Sequence, residues 1–301
     1  MRKLLSLPAA ALLVLGIAAV LLAGCQPAEP ELGTEENPII WSFVPSGDTG
    51  EIVAGGEAVA DMIFDKTGLV VEVSVATEYA GVIEALSTDP PSAHMASLAT
   101  FSYIVASQRD VAEAELVGVR FGSTTYSGQI IARSDSDINS VADLDGRTFA
   151  RPDPLSTSGW IIPSITMQAD GVNPEDDLEE IVDAGGHGAV AAAVYNGDVD
   201  AGATYVDARG EIEEDNPDVM EVLKVVTVSQ DIPNDGVQFH PSISGEMRQQ
   251  IIDALLEIAE ESPDVLDDAY SWSGLVERDD TFYDPFRQVL QAAGVDPQSF
   301  M

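Results

Sequence analysis

Cysteine is nearly absent: the 301 residues hold one, Cys25. A single thiol excludes an intrachain disulfide framework. Basic residues are scarce too, 13 Lys and Arg against 52 Asp and Glu, for a formal net charge of −39. Nucleic-acid binding rests on clustered Lys and Arg, so nucleic acid is excluded as a partner. Beyond Lys3, the only lysines are Lys66 and Lys224. Acidic, lysine-poor surfaces keep a protein soluble in salt and resist association. No internal repeat is present. No cluster of His, Cys or paired acids has metal-ligand character, so no metal or cofactor is expected. No G-x-S-x-G elbow marks a nucleophilic serine.

What is present begins with an export signal. Arg2 and Lys3 precede an apolar run from Leu4 to Leu22, broken only by Ser6, Pro8 and Gly16. Small residues Ala23 and Gly24 then lead to Cys25. That pattern marks residues 1–24 as a signal peptide. The ending Leu22-Ala23-Gly24-Cys25 resembles the lipobox of bacterial lipoproteins, in which the cysteine is lipidated and becomes the mature N-terminus. A transmembrane anchor is the alternative reading of the run, but a cysteine at the cleavage point has no role in one. Cleavage removes two cations and no acid, taking the formal charge from −39 to −41. With two prolines, four glutamates and no apolar cluster, Gln26 to Asn37 reads as a disordered tether, so residues 25–37 form a lipidated leash.

From Pro38 onward strand and helix signals alternate, which predicts an α/β protein of parallel sheets with covering helices. Ile39 to Val44, Val70 to Val75 and Met95 to Ala99 read as strands, with helices over Glu51–Lys66, Tyr79–Leu86 and Phe101–Gln108. Leu116 to Arg120 and Gln129 to Arg133 are strands joined by Gly122 to Ser127. In the second half, strands are expected over Arg147–Arg151, Ala201–Val206 and Val222–Val228. Helices are expected over Trp160–Ala169, His187–Asn196, Met247–Glu260, Ser262–Tyr270 and Pro285–Ala293. Pro163 places the start of its helix late or kinks the first turns. The simplest division is lobe I from 38–126 plus 228–301 and lobe II from 127–227, with two crossings between them as a hinge. Clefts between such lobes are natural small-molecule sites.

The sharpest local signal is Asp153-Pro154-Leu155-Ser156-Thr157-Ser158-Gly159. Three hydroxyls precede a helix, where unpaired N–H groups and the helix dipole favour an oxyanion. Ordinary N-capping needs only one of the three. Gly186-His187 places an imidazole, and a second helix N-terminus, at the start of the alanine-rich helix. Tyr79 begins a helix as well. All three features fall where helices follow strands, which is where α/β sheets gather ligands.

These segments resemble the phosphonate, phosphite and phosphate-binding proteins of ABC importers. Besides Asp153–Gly159 and Gly186-His187, the resemblance is carried by Ala76–Ile83 (ATEYAGVI), Ala201–Asp207 (AGATYVD) and Ile232–Asp235 (IPND). It implies a two-lobed type II periplasmic binding protein, a Venus-flytrap with two mixed sheets and a two-strand hinge. It also implies an extracytoplasmic monomer that hands a small phosphorus oxyanion to a membrane permease and its ATPase. By the same resemblance, Ser156, Thr157 and His187 hold the oxyanion with Ser158 and backbone N–H groups assisting, Tyr79 and Tyr126 close the cleft, and Asp207 and Asp235 face the ligand. Family members often carry glutamate where this chain has Asp207.

An ionised carboxylate only accepts hydrogen bonds. Beside an oxyanion it requires a ligand proton or a ligand cation, such as the ammonium of an aminoalkylphosphonate, and it disfavours fully ionised sulfate. The bland alternative is that Asp207 and Asp235 are solvated surface acids. Three rivals stand beside the receptor reading: a receptor for sulfonates or other anions, a ligand sensor for a signalling partner, and a hydrolase using Ser156, His187 and Asp207 as a triad. The receptor reading needs no catalysis.

Overall fold

The computed structural model describes residues 30–300. The predicted signal peptide, Cys25 and residues 26–29 therefore lie outside the described residues. The part of the predicted tether that is described is ordered rather than disordered. The Gly33 and Thr34 amides donate to the Asn37 carbonyl, at 2.8 and 3.2 Å, and the Val70 amide donates to the Gly33 carbonyl at 2.9 Å. Leu32 packs on the core. Backbone pairing and one apolar side chain dock this acidic stretch where composition alone pointed to solvation.

Six strands build lobe I: β1 (Ile39–Phe43), β2 (Val71–Val75), β3 (Met95–Ser97), β4 (Glu113–Val119), β12 (Gly236–Phe239) and β13 (Gly274–Glu277). Their order is β13-β4-β12-β3-β1-β2. Lobe II is a five-stranded sheet of β6 (Gly128–Arg133), β7 (Thr148–Arg151), β8 (Glu180–Asp183), β9 (Ala201–Tyr205) and β10 (Leu223–Val228), ordered β10-β6-β9-β7-β8. Between the lobes, β5 (Thr125–Tyr126) and β11 (Ile232–Pro233) pair antiparallel. Both sheets are mixed. β1 runs parallel to β2 and β3, and β7 runs parallel to β8 and β9. The strands at the crossings, β4, β6 and β12, pair antiparallel with their neighbours.

The α-helices of eight residues or more are α1 (Thr49–Thr67), α2 (Tyr79–Ser87), α3 (Thr100–Ser107), α4 (Ile162–Ala169), α5 (His187–Asn196), α6 (Gly245–Glu261), α7 (Pro263–Tyr270) and α8 (Asp284–Ala293). The turn at Pro45–Asp48 ends in an N-cap, because the Asp48 carboxylate accepts from the Glu51 amide at 3.0 Å. In α1 the buried residues Ile52, Val59, Ala60 and Ile63 fall on one helical stripe. The helix expected from Trp160 begins earlier, as a π-helical turn over Thr157–Ile161, and becomes α-helical at Ile162. Pro163 thus falls in the first α-turn, where its missing N–H costs no bond.

Three strands of the two large sheets, β8, β12 and β13, have no counterpart among the strands expected from the sequence. β12 is only four residues long and carries Gln238, yet it lies inside the lobe I sheet and is fully buried. The Gln238 side-chain carbonyl accepts from the Leu98 amide at 2.9 Å.

Candidate functional site

The two lobes meet over a cleft of about 800 Å³. Hydrogen bonds tie them across it. The Tyr79 amide of lobe I donates to Asp153 Oδ2 at 3.0 Å, and the Phe101 amide donates to Thr157 Oγ1 at 2.9 Å. From lobe II the His187 amide donates to the Ser46 carbonyl at 3.2 Å. The lobes are therefore held closed, with helix N-termini from both sides at the seam.

The hydroxyl loop forms the lobe II face. Ser156, Thr157 and Ser158 are all buried, and all line the cleft. Ser156 is the cap: its Oγ accepts from the Gly159 amide at 3.2 Å. Gly159 must be glycine here, since a Cβ would lie 2.3 Å from Pro152 Cδ and 2.9 Å from the Ser156 hydroxyl oxygen. Thr157 accepts the lobe I amide. Each of these two hydroxyls is engaged as an acceptor, so each keeps its own proton to donate. One residue type thus serves both capping and ligand donation.

His187 lines the same cleft and is buried. Burial pushes its imidazole down to about 3, and the nearby Arg120 charge acts in the same direction. The ring is therefore neutral near pH 7. Its Nδ1 accepts from the Tyr205 amide at 3.3 Å, which leaves Nε2 as the protonated donor. Helix α5 does not supply free N–H groups to the cleft as its sequence suggested. The His187 amide is taken by Ser46, and Glu211 sits against the Gly188 amide. The imidazole is what this helix contributes.

Tyr79 and Tyr126 reach the cleft from lobe I and the hinge. Burial raises the Tyr126 phenol to about 12, reinforced by the Asp235 charge and opposed by the hydroxyls of Ser158 and Thr157 beside it. Burial likewise drives Tyr79 far up, with Ser156 beside it. Both phenols are neutral donors.

The two acids also line the cleft, but neither is a free carboxylate nor a solvated surface group. Asp235 receives Arg120 Nη1 at 2.5 Å, Arg120 Nη2 at 3.1 Å and Trp272 Nε1 at 3.1 Å. Gly118 makes room for that indole; a Cβ there would sit 2.3 Å from Trp272 Nε1. Asp207 receives Arg209 Nε at 2.8 Å, Arg209 Nη2 at 2.5 Å and Gln129 Nε2 at 2.9 Å. The Arg209 guanidinium holds the Asp207 carboxyl below the usual range, and burial opposes it. Because Asp207 is committed to Arg209, and His187 Nδ1 to a backbone amide, Ser156, His187 and Asp207 do not form a relay.

Sequence reasoning missed Arg120, Tyr205 and Tyr270, all of which line the cleft. The Tyr270 hydroxyl is buried and has no hydrogen-bond partner among the described residues. Tyr205 lies within the Ala201–Asp207 segment but is not singled out there, whereas no local motif announces Arg120 or Tyr270, which enter through contacts between distant segments.

Residues 41–283 match the family described as "ABC transporter, phosphonate, periplasmic substrate-binding protein". The chain belongs to this family. Among its relatives is the "Phosphate-import protein PhnD" of Mycolicibacterium smegmatis, 30% identical over 201 residues that make up 62% of each chain. The "Phosphonates-binding periplasmic protein" of Escherichia coli is 29% identical over 194 residues, 62% of this chain and 56% of that one. The aligned part thus spans about three-fifths of these relatives' length. A binding-protein component of a Pseudomonas aeruginosa ABC phosphonate transporter shares the fold, with a TM-score of 0.77 at 24% identity, over 85% of this chain and 87% of the other. The two-lobed type II architecture expected from the sequence is the architecture observed.

Proposed function

We propose that this protein captures a small phosphorus oxyanion between its lobes and delivers it, in the closed form, to a membrane permease driven by an ATPase. The observation that carries the reading is the set of neutral donors at the seam: Ser156, Thr157, Ser158, His187 Nε2, Tyr79 and Tyr126. Such donors stabilise an oxyanion without adding charge, and in a closed cleft they act in a low dielectric. A ligand touching both lobes favours the closed state by its differential affinity. The names of the relatives, one for phosphate and one for phosphonates, support the class of ligand.

Family membership and the export signal support an extracytoplasmic location. Cys25 is the proposed lipid anchor, and the body is proposed to act as a monomer.

Calorimetry on the protein lacking residues 1–25 tests the reading, with phosphite, methylphosphonate, phosphate and sulfate as ligands. Tight binding of at least one phosphorus ligand, with sulfate silent, is expected. Silence for all the phosphorus ligands would falsify it.

A further inference from the structure

The acids of the cleft pose a question of charge. A carboxylate beside a bound oxyanion demands a cation, and that cation comes either from the ligand or from the protein. For Asp235 and Asp207 the protein supplies it. Asp235 holds Arg120 in a two-pronged pair, and Asp207 holds Arg209 in another. Asp153, behind the cleft wall, accepts from the amides of Tyr79 and Leu155, and the lining acid Glu211 accepts from the Tyr205 hydroxyl; these neutral donors satisfy oxygens without supplying a cation. The remaining lining acids, Asp48, Glu51 and Asp268, are exposed, where water and salt screen them.

Among the described residues, Arg120 is also the only Lys or Arg that lines the cleft. Its Nη2 bridges Asp235 and the Tyr270 carbonyl, the latter at 3.0 Å, and its guanidinium lies 5.7 Å from the centre of the Tyr270 ring. A guanidinium has five N–H donors. Three are used by Asp235 and Tyr270, and two have no partner among the described residues. The side chain is 18% exposed, so this is a fixed, largely buried cation at the cleft wall. Tyr126, Thr157, Ser158 and Asp235 line the same cleft as Arg120.

Resting on the receptor reading above, we propose that Arg120 determines which phosphorus ligand is accepted. The end of the ligand away from the phosphorus is neutral or anionic, as in alkylphosphonates and carboxyalkylphosphonates, and ammonium-bearing aminoalkylphosphonates are turned away. An ammonium in this cleft would find Asp235 already neutralised and Arg120 as a like charge at close range. An alkyl tail meets no such repulsion, and a carboxylate tail meets two open N–H donors.

The test uses an isosteric pair, propylphosphonate and 2-aminoethylphosphonate, titrated calorimetrically at pH 7 into the wild type and Arg120→Gln, with methylphosphonate as a reference. The wild type should bind propylphosphonate at least 10-fold more tightly, a difference of about 1.4 kcal/mol. In Arg120→Gln, Asp235 is free to pair with the ammonium, so the preference should shrink at least 10-fold. Should that variant fail to melt cooperatively, Asp235→Asn keeps the cation in the cleft and should keep the preference. Equal or tighter binding of 2-aminoethylphosphonate by the wild type overturns the inference while leaving the receptor reading intact. So does an unchanged preference in folded Arg120→Gln, or a lost one in Asp235→Asn. If none of the three ligands binds the wild type, the receptor reading falls and this inference with it.

Discussion

Lobe II meets the cleft with neutral donors, the hydroxyls of Ser156, Thr157 and Ser158 and the Nε2–H of His187, whereas lobe I meets it with an ion pair, Arg120 and Asp235, set among tyrosines. The lobe II acid at the cleft, Asp207, is matched within its own lobe by Arg209. On the proposed function, the difference accounts for how a chain with 52 acids and 13 bases would hold an anion. Long-range charge works against capture, so recognition is delegated to fixed short-range dipoles. The cation of the cleft wall is kept neutral in sum by its partner and discriminates rather than attracts.

The sharpest way to break this comparison is to remove a neutral donor that also joins the lobes. Thr157→Val removes the hydrogen bond proposed between this hydroxyl and the ligand and orphans the buried Phe101 amide. An affinity loss on the order of 100-fold is expected by calorimetry, since bonds to charged ligands and unsatisfied buried donors each cost about 1–3 kcal/mol. A loss below fivefold would remove Thr157 from the site. Next in size, Gly159→Ala pushes a methyl group against Pro152 and the Ser156 hydroxyl. A stability loss of about 2 kcal/mol in denaturant unfolding is expected, as for other overpacked positions.

A third test asks whether His187 is a neutral donor. It sits at about 3 in the folded protein against an ordinary 6.5. Between those values the unfolded chain holds a proton the native state refuses, so this group costs stability as pH falls through the window. The gap in unfolding free energy between the wild type and His187→Gln should move against the wild type by about 1–2 kcal/mol from pH 7 to pH 5, since one withheld proton is worth about 1.4 kcal/mol for each pH step below the unfolded value. A gap that stays flat over that range would mean the ring is charged or solvent-exposed. The smallest effect concerns the acidic surface. Raising ionic strength from about 0.02 to 0.2 M shortens the screening length severalfold, so ligand association by stopped flow should speed up a few-fold. Slower association at high salt would show that a net positive field guides the ligand instead.

Much of this molecule is legible in its sequence. Alternating strand and helix signals expose the α/β character, and the Asp153–Gly159 loop, His187 and Tyr79 declare themselves because local rules govern helix starts. What stays hidden is non-local. Arg120 lies 115 residues from Asp235, and nothing in Val119-Arg120-Phe121 predicts their pairing. β12 hides because its four residues include a buried glutamine, whose side-chain oxygen is satisfied by the distant Leu98 amide. The stretch from Pro30 to Asn37 misleads because composition weighs charge, while docking there is decided by backbone pairing with the residues before β2.

The bond from Phe101 to Thr157 makes one hydroxyl a relay. Its oxygen accepts from lobe I while its proton remains available to whatever fills the cleft. Hydrogen bonds in such a chain polarise one another, so a ligand that draws the proton outward makes the oxygen a better acceptor. Occupancy would then tighten the seam itself. A partner outside could sense a filled cleft through the stiffness of the junction between the lobes, without ever touching the ligand.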